Sequence, residues 1–283
     1  LGGATALERL RPDEIARLWS YMNNHGRVLL LADASLRGSR GALPMGGGLF
    51  DLMWSDMGLR AHDDVVVVEG TEPVYETPAP EATVEAGADV TQAPPVQVGE
   101  RPILIADFAA SAINTAHPIT ANLTGPLEFS MARSLEVDAS LQGFVVTPLV
   151  FTDQTFYGET AYGTFLSDGT FEFNIGSDTT LGALPLAAAY QNDRVSSRVV
   201  VIGDREFATN GGGMRTSPPN SAAFVFPDNA RFMMNAVMWL LDQPAVAYEF
   251  PTPGPTATVT ITPSPTPTRT PTPEVTPTPT AQS

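Results

Sequence analysis

The sequence predicts an α/β domain, a mainly parallel sheet flanked by helices, with a β-rich middle section and a disordered C-terminal tail. Three observations predict it. Stretches with helical periodicity lead into short runs that are apolar at every position, Val28–Ala32, Val65–Val68, Ile103–Ala106 and Val199–Ile202. A strand apolar on both faces suits a sheet covered by helices on both sides, the usual environment of parallel strands. The middle, from Leu127 to Gln191, instead holds short alternating pieces broken by turn residues, the mark of antiparallel or edge strands. Residues 251–283 carry ten Pro and twelve Thr in 33 positions, and proline feeds neither a helix nor a sheet ladder.

From Arg11 to Asn24, Ile15, Leu18, Trp19 and Met22 recur at helical spacing; Pro12 suits the first turn and Gly26 the left-handed stop. Val28–Ala32 is then a buried strand ending in Asp33. Gly46–Gly48 lead into a second helix from Leu49 to Met57, closed by Gly58, and Val65–Val68 is the next strand. Pro102–Ala106 repeats the strand-then-Asp pattern at Asp107. Gly143–Val146 and Thr170–Asn174 read as short middle strands. Arg198–Gly203 is expected to be an interior, parallel strand with Asp204 at its carboxyl end. The last ordered element is a helix from Asn229 to Leu241, with Asp228 as N-cap, Pro244 beyond its end, and Ala230, Met233, Met234, Val237 and Leu241 as its buried stripe.

With 283 residues, 43% of them apolar, the chain can bury a sizeable core. It is expected to form one α/β domain over residues 1–250. Within it, residues 70–100 carry five Pro and six acidic residues with no basic one, so this segment reads as a solvated, disordered insertion. Residues 251–283 read as a polyproline-like tether reaching up to ~100 Å at about 3.1 Å per residue, a composition typical of stalks outside the cell. The chain opens at Leu1 without a basic-then-apolar leader pattern, and no stretch approaches the ~18 apolar residues of a membrane span. It therefore reads as part of a longer product whose anchor lies elsewhere.

Charge and two absences exclude several classes. Against 31 Asp and Glu stand 15 Arg and no Lys, for a formal net charge of −16, so phosphate backbones are repelled and nucleic acid is not an expected partner. No Cys means no disulfide, thiolate nucleophile or iron–sulfur ligation; no Lys means no Walker A loop and no Schiff base. No cofactor is expected. His25, His62 and His117 are far apart, and the His62-Asp63-Asp64 run reads as a solvated loop rather than a metal site. No G-x-S-x-G elbow is present.

Ligands in open α/β sheets bind outside the carboxyl ends of the strands. The candidate ligand site is therefore Asp33, Asp107 and Asp204 with Arg205 and Asn210. Three carboxylates at one edge could hold a divalent cation if they lie within about 6 Å of one another. They serve equally well as caps and turn formers, and no metal is assigned. Asn210–Arg215 reads as a flexible glycine-rich loop beside that edge, without the spacing of a dinucleotide motif.

The order of the pieces resembles the GldG-like, gliding-motility-type ABC-transporter auxiliary proteins. The resemblance rests on Gly26-Arg27-Val28-Leu29-Leu30-Leu31-Ala32-Asp33 after its helix and on Asp63-Asp64-Val65-Val66-Val67 after Gly58. It continues in His117-Pro118-Ile119-Thr120 with Phe129 and Ala132-Arg133-Ser134-Leu135. It ends in Val199–Asp204, Phe207, Asn210 and Asn235-Ala236-Val237-Met238-Trp239-Leu240. It implies a flavodoxin-like or class I glutamine-amidotransferase-like fold and a non-enzymatic binding or scaffold role outside the cytoplasm. The implied partners are membrane transporter subunits or cell-surface proteins and glycans. The amidotransferases with this fold use a Cys nucleophile, which this chain lacks, so that activity is excluded. Two other readings remain open: a hydrolase of a surface polymer using the edge carboxylates, with or without a metal, and a stalk-borne adhesion module.

Overall fold

Proline at the first position and Asp13 and Glu14 in the first turn start helix α1 (Pro12–Met22), because proline lacks the N–H that has no partner there and carboxylates favour the positive end of the peptide dipoles. Ile15 and Met22 are buried and Leu18 and Trp19 pack beside them, as the spacing predicts. The stop differs from expectation. His25 takes the left-handed conformation, at φ 58°, while Gly26 is required because a Cβ there would run into the Tyr21 carbonyl.

The structure is a computed structural model that describes residues 10–34, 49–76 and 95–245. The chain divides into two units, Leu1–Pro253 and Gly254–Ser283, and the second, with the expected tether, lies outside the described residues. So do Gly46–Gly48. After α1 come β1 (Arg27–Leu31), α2 (Leu49–Met57), β2 (Leu59–Ala61), β3 (Val65–Glu76), β4 (Val96–Ile105), β5 (Asp107–Ala110) and β6 (Ala112–Ile113). Next are β7 (Leu127–Ser130), β8 (Leu135–Val137), β9 (Val145–Phe151), β10 (Tyr157–Glu159) and α3 (Tyr162–Asp168). The last are β11 (Pro185–Asn192), β12 (Ser197–Ile202), a 3-10 turn (Glu206–Ala208) and α4 (Pro227–Leu240).

The central sheet runs β1-β12-β11-β9-β6. Strand β12 is interior and pairs in parallel with β1, Leu31 opposite Ile202, but every other pairing in this sheet is antiparallel. The expected flavodoxin-like, mainly parallel sheet is therefore not what forms. The apolar runs report burial on two faces, and that is met without parallel pairing. Val199 and Val201 point into one cluster with α1 and α2, and Val200 and Ile202 point into another with α4, Phe129 and Phe207. The short return from β11 to β12, turning at Ser196 (φ 49°), makes that pair a hairpin and hence antiparallel.

The runs at Val65 and Ile103 do not join this sheet. They form the base of an antiparallel ribbon, β3 against β4 with Val68 opposite Ile105 and Glu76 opposite Val96, and β10 adds to its edge. The acidic segment is thus partly built into strands, through Gly70–Glu76 and Val96–Glu100; residues 77–94 lie outside the described residues. Val65 and Val67 face a third cluster with Leu104, Tyr157 and Tyr162, against which Phe165, Phe171 and Phe173 pack. Phe171 and Phe173 lie outside any strand, in the loop after α3, rather than in the expected Thr170–Asn174 strand.

Helix α4 is also rotated relative to its expected stripe. Ala230 is buried, but Val237 and Leu241 are exposed, and Phe232, Asn235, Ala236, Trp239 and Leu240 face inward. Two buried asparagines explain the rotation: the Asn229 amide exchanges two hydrogen bonds with the Glu128 backbone, and Asn235 Nδ2 donates to the Ile119 carbonyl and Asn122 Oδ1. Asp228 lies inside the first turn and not at the N-cap. Its carboxylate accepts the Thr124 and Gly125 N–H groups, at 2.7 and 2.5 Å, stitching α4 to the loop before β7.

Candidate functional site

Parallel pairing in register places residues two past the ends of β1 and β12 side by side, which brings Asp33 and Asp204 to one edge as expected. Asp204 is fully buried. Its Oδ2 accepts the Ser130 N–H at 2.8 Å, tying the edge to β7. Burial raises its pKa to about 7, against the pull of the backbone N–H groups of Ser130, Phe207 and Glu206. Oδ1 has no partner of ordinary hydrogen-bond geometry. Asp33 is partly buried, and its pKa is also raised by loss of solvent, opposed by the Arg205 guanidinium 3.7 Å away. Arg205 is half exposed and divides its charge between Asp33 and Glu206, whose carboxylate lies 2.5 Å from it.

The other two predicted residues stand differently. Asp107 does not end β4; it opens β5, where its Oδ1 accepts the Ser130 hydroxyl at 2.5 Å. Ser130 thus stands between Asp107 and Asp204, donating its hydroxyl to one and its N–H to the other. Asn210 is exposed, in the turn after the 3-10 helix. The glycines beside it are packed: a Cβ on Gly212 would strike the Glu206 carbonyl, and one on Gly213 would meet Phe207 and Asn229. Among the described residues no three His, Asp or Glu side chains converge as a metal site, so the cation-binding alternative for this edge finds no ligand set.

The His62-Asp63-Asp64 run was expected to be solvated, and it is structural instead. Arg133, buried to 1% side-chain exposure, donates to the His62 carbonyl and to Asp63. Asp64 is buried and accepts the Ser134 N–H and hydroxyl and the Thr179 hydroxyl. His117 is half-buried against the Trp239 ring, 5.1 Å between centroids, and loss of solvent, then the Arg198 charge, lower its pKa to about 4, so it is neutral at physiological pH. Its Nδ1 accepts the Ile119 N–H.

A family described as an ABC-type uncharacterized transport system matches residues 4–236. The chain belongs to this family. Membership points to an auxiliary protein of an ABC-type transport system. No curated protein matches. Among solved structures, the chain is similar to the mmIFT52 N-terminal domain at 13% identity, TM-score 0.43, over 82% of this chain and 72% of that one. A likeness that loose carries no argument about function. No helix among the described residues of this family member is long and apolar enough to cross a membrane.

Sequence reasoning missed Arg133, Asp63, Asp64 and Ser130 as the groups that hold the edge together. Each has a partner 70 or more residues away in the chain. No local periodicity signals such a pairing. The resemblance did pass through Asp63, Asp64 and Arg133, and that is the one trace of them in the sequence.

Proposed function

We propose that this family member is a non-enzymatic binding or scaffold subunit of an ABC-type transport system, GldG-like in kind, working on the outer side of a bacterial membrane. The family match over residues 4–236 carries this reading. The edge chemistry supports it: Asp204 is committed to the Ser130 backbone, and Asp33 and Glu206 to Arg205, so these carboxylates brace the fold. The Pro/Thr-rich composition of residues 251–283 supports the extracytoplasmic placement. Transporter subunits or surface proteins and glycans are the partners of this reading.

Co-expression with the permease and ATPase of an ABC-type transport system from the same organism tests the proposal. Co-purification from detergent-solubilised membranes is expected. Failure to co-purify, together with unchanged transport when the gene is deleted, overturns it.

A hydrolase reading draws on one observation, a buried carboxyl whose pKa reaches about 7. Asp204 has no exposed surface through which to meet a substrate, which favours the binding role. Hydrolysis of a surface polymer that disappears in Asp204→Asn with the fold intact would reverse that preference.

A further inference from the structure

The turn after the 3-10 helix holds the sequence's single Asn-Gly pair, Asn210-Gly211. Both residues are exposed, and neither has a hydrogen-bond partner among the described residues. A Cβ built on Gly211 meets nothing within 4 Å, so its surroundings are open. The next two glycines differ: the Gly212 and Gly213 N–H groups are donated to the Thr209 and Glu206 carbonyls, at 3.2 and 3.0 Å.

One reaction uses these features together. The side-chain amide carbon of an asparagine lies one five-membered ring away from the backbone nitrogen of the next residue. Glycine there shields the nitrogen least, because it has no Cβ, and lets the backbone reach the conformations that close the ring. A hydrogen bond from that N–H would hold it out of reach, and Gly211 makes none among the described residues.

Asp168-Gly169 offers the same frame with a carboxyl in place of the amide, and it is closed to this chemistry. The Gly169 N–H is donated to the Phe165 carbonyl at 2.8 Å, where the glycine ends α3 in the left-handed conformation. The Thr170 hydroxyl and then its N–H, at 2.7 and 2.9 Å from Asp168 Oδ1, hold that carboxyl below its usual range. An ionised carboxylate is a poor electrophile.

We propose that Asn210-Gly211 is a site of spontaneous deamidation in the folded protein. Hydroxide or water takes the Gly211 amide proton, and the nitrogen attacks Asn210 Cγ. The Cγ–Nδ2 bond breaks, and ammonia leaves with a proton from water. The cyclic imide then adds one water: opening at Cγ gives aspartate, and opening at the backbone carbonyl gives isoaspartate, whose chain runs through Cβ and Cγ. The net change is an amide and water to a carboxyl and ammonia, with no oxidant or reductant. Isoaspartate adds a methylene to the turn that the Met214 N–H closes on the Thr209 carbonyl at 3.0 Å. Gly212 and Gly213, packed against the Glu206 and Phe207 carbonyls, cannot absorb the extra length, so that bond opens. The proposal is independent of the transporter assignment and of the sheet edge.

Ageing the full chain at mildly alkaline pH, followed by peptide mapping, tests it. A synthetic peptide with the sequence of residues 206–214 gives the unprotected rate. Asn210 in the protein is expected to lose its amide within about tenfold of that rate, with isoaspartate among the products and none formed at Asp168. Gly211→Ala, whose Cβ has open space, slows the loss roughly tenfold. A slower rate in the protein, aspartate without isoaspartate, equal isoaspartate at Asp168, or an undiminished rate in Gly211→Ala overturns the proposal. Amide exchange at Met214 should be faster in the aged protein than in Asn210→Asp, which carries the charge without the added methylene. Equal exchange in the two overturns the opening of the turn.

Discussion

Asp204 and Glu159 are both acids buried near the end of a strand, yet they are finished differently. Asp204 has no exposed surface, and its Oδ2 is taken by the Ser130 backbone, which fastens β12 to β7. Glu159 makes one local bond, its Oε1 accepting the Ala161 N–H, and leans its other oxygen on the Tyr157 phenol. Burial raises the pKa of each, so a perturbed acid alone does not mark a site. What separates the two is reach: Asp204 joins segments far apart in the chain, and Glu159 bonds within its own turn.

The contrast is broken most directly at Asp204. Asp204→Ala is expected to cost about 2–3 kcal/mol by orphaning the Ser130 N–H, measured by denaturant unfolding. Glu159→Gln is expected to cost far less, and equal costs would erase the distinction. The Asp204 charge adds a pH signature. Its folded pKa, about 7, lies above the ordinary value of 3.8, so the folded state keeps a proton the unfolded state releases. That contribution is complete below pH 3.8 and is lost as pH rises through about 7. The stability advantage of wild type over Asp204→Asn should therefore shrink between about pH 4 and about pH 8, and a constant difference would refute the protonated brace.

Asp178→Ala comes next. Losing its bonds to Thr160 and Asn174 should cost about 1–2 kcal/mol in denaturant unfolding. Unchanged stability would show that the loop after α3 does not depend on Asp178. Glu159→Gln by itself should shift stability by no more than about 0.5 kcal/mol in either direction, since the amide keeps the Ala161 bond and a polar group beside the Tyr157 phenol. Arg205→Ala should have the smallest effect, under about 0.5 kcal/mol in thermal unfolding, because that pair is half exposed and screened by salt.

Much of the local structure was legible in the sequence. Helix α1, helix α2 with its Gly58 stop, and the interior position of β12 followed from periodicity and glycine placement. The pairing direction was not, because Val65–Val68 and Val199–Ile202 look alike along the chain while one enters a ribbon and the other a sheet. Apolar runs record that two faces are covered and say nothing about the neighbouring strand. At the edge, Asp33, Asp204 and Arg205 were found from their positions after strands. Asp107 was misplaced because Ala106 interrupts β4 before it, and Asn210 stays exposed. Glu159 left no trace, because its character comes from Tyr157, Asp178 and the loop after α3 closing around it.

The β3–β4 ribbon has a further consequence for the whole molecule. From the Val68–Ile105 pair to the Glu76–Val96 pair it advances eight residues, about 27 Å at ~3.4 Å per residue. Along it lie Glu69, Glu72, Glu76 and Glu100 against the single cation Arg101. Net negative charge therefore repeats along one exposed ribbon. A polyanionic surface, nucleic acid or anionic lipid headgroups alike, is repelled along that length, and added salt weakens the repulsion.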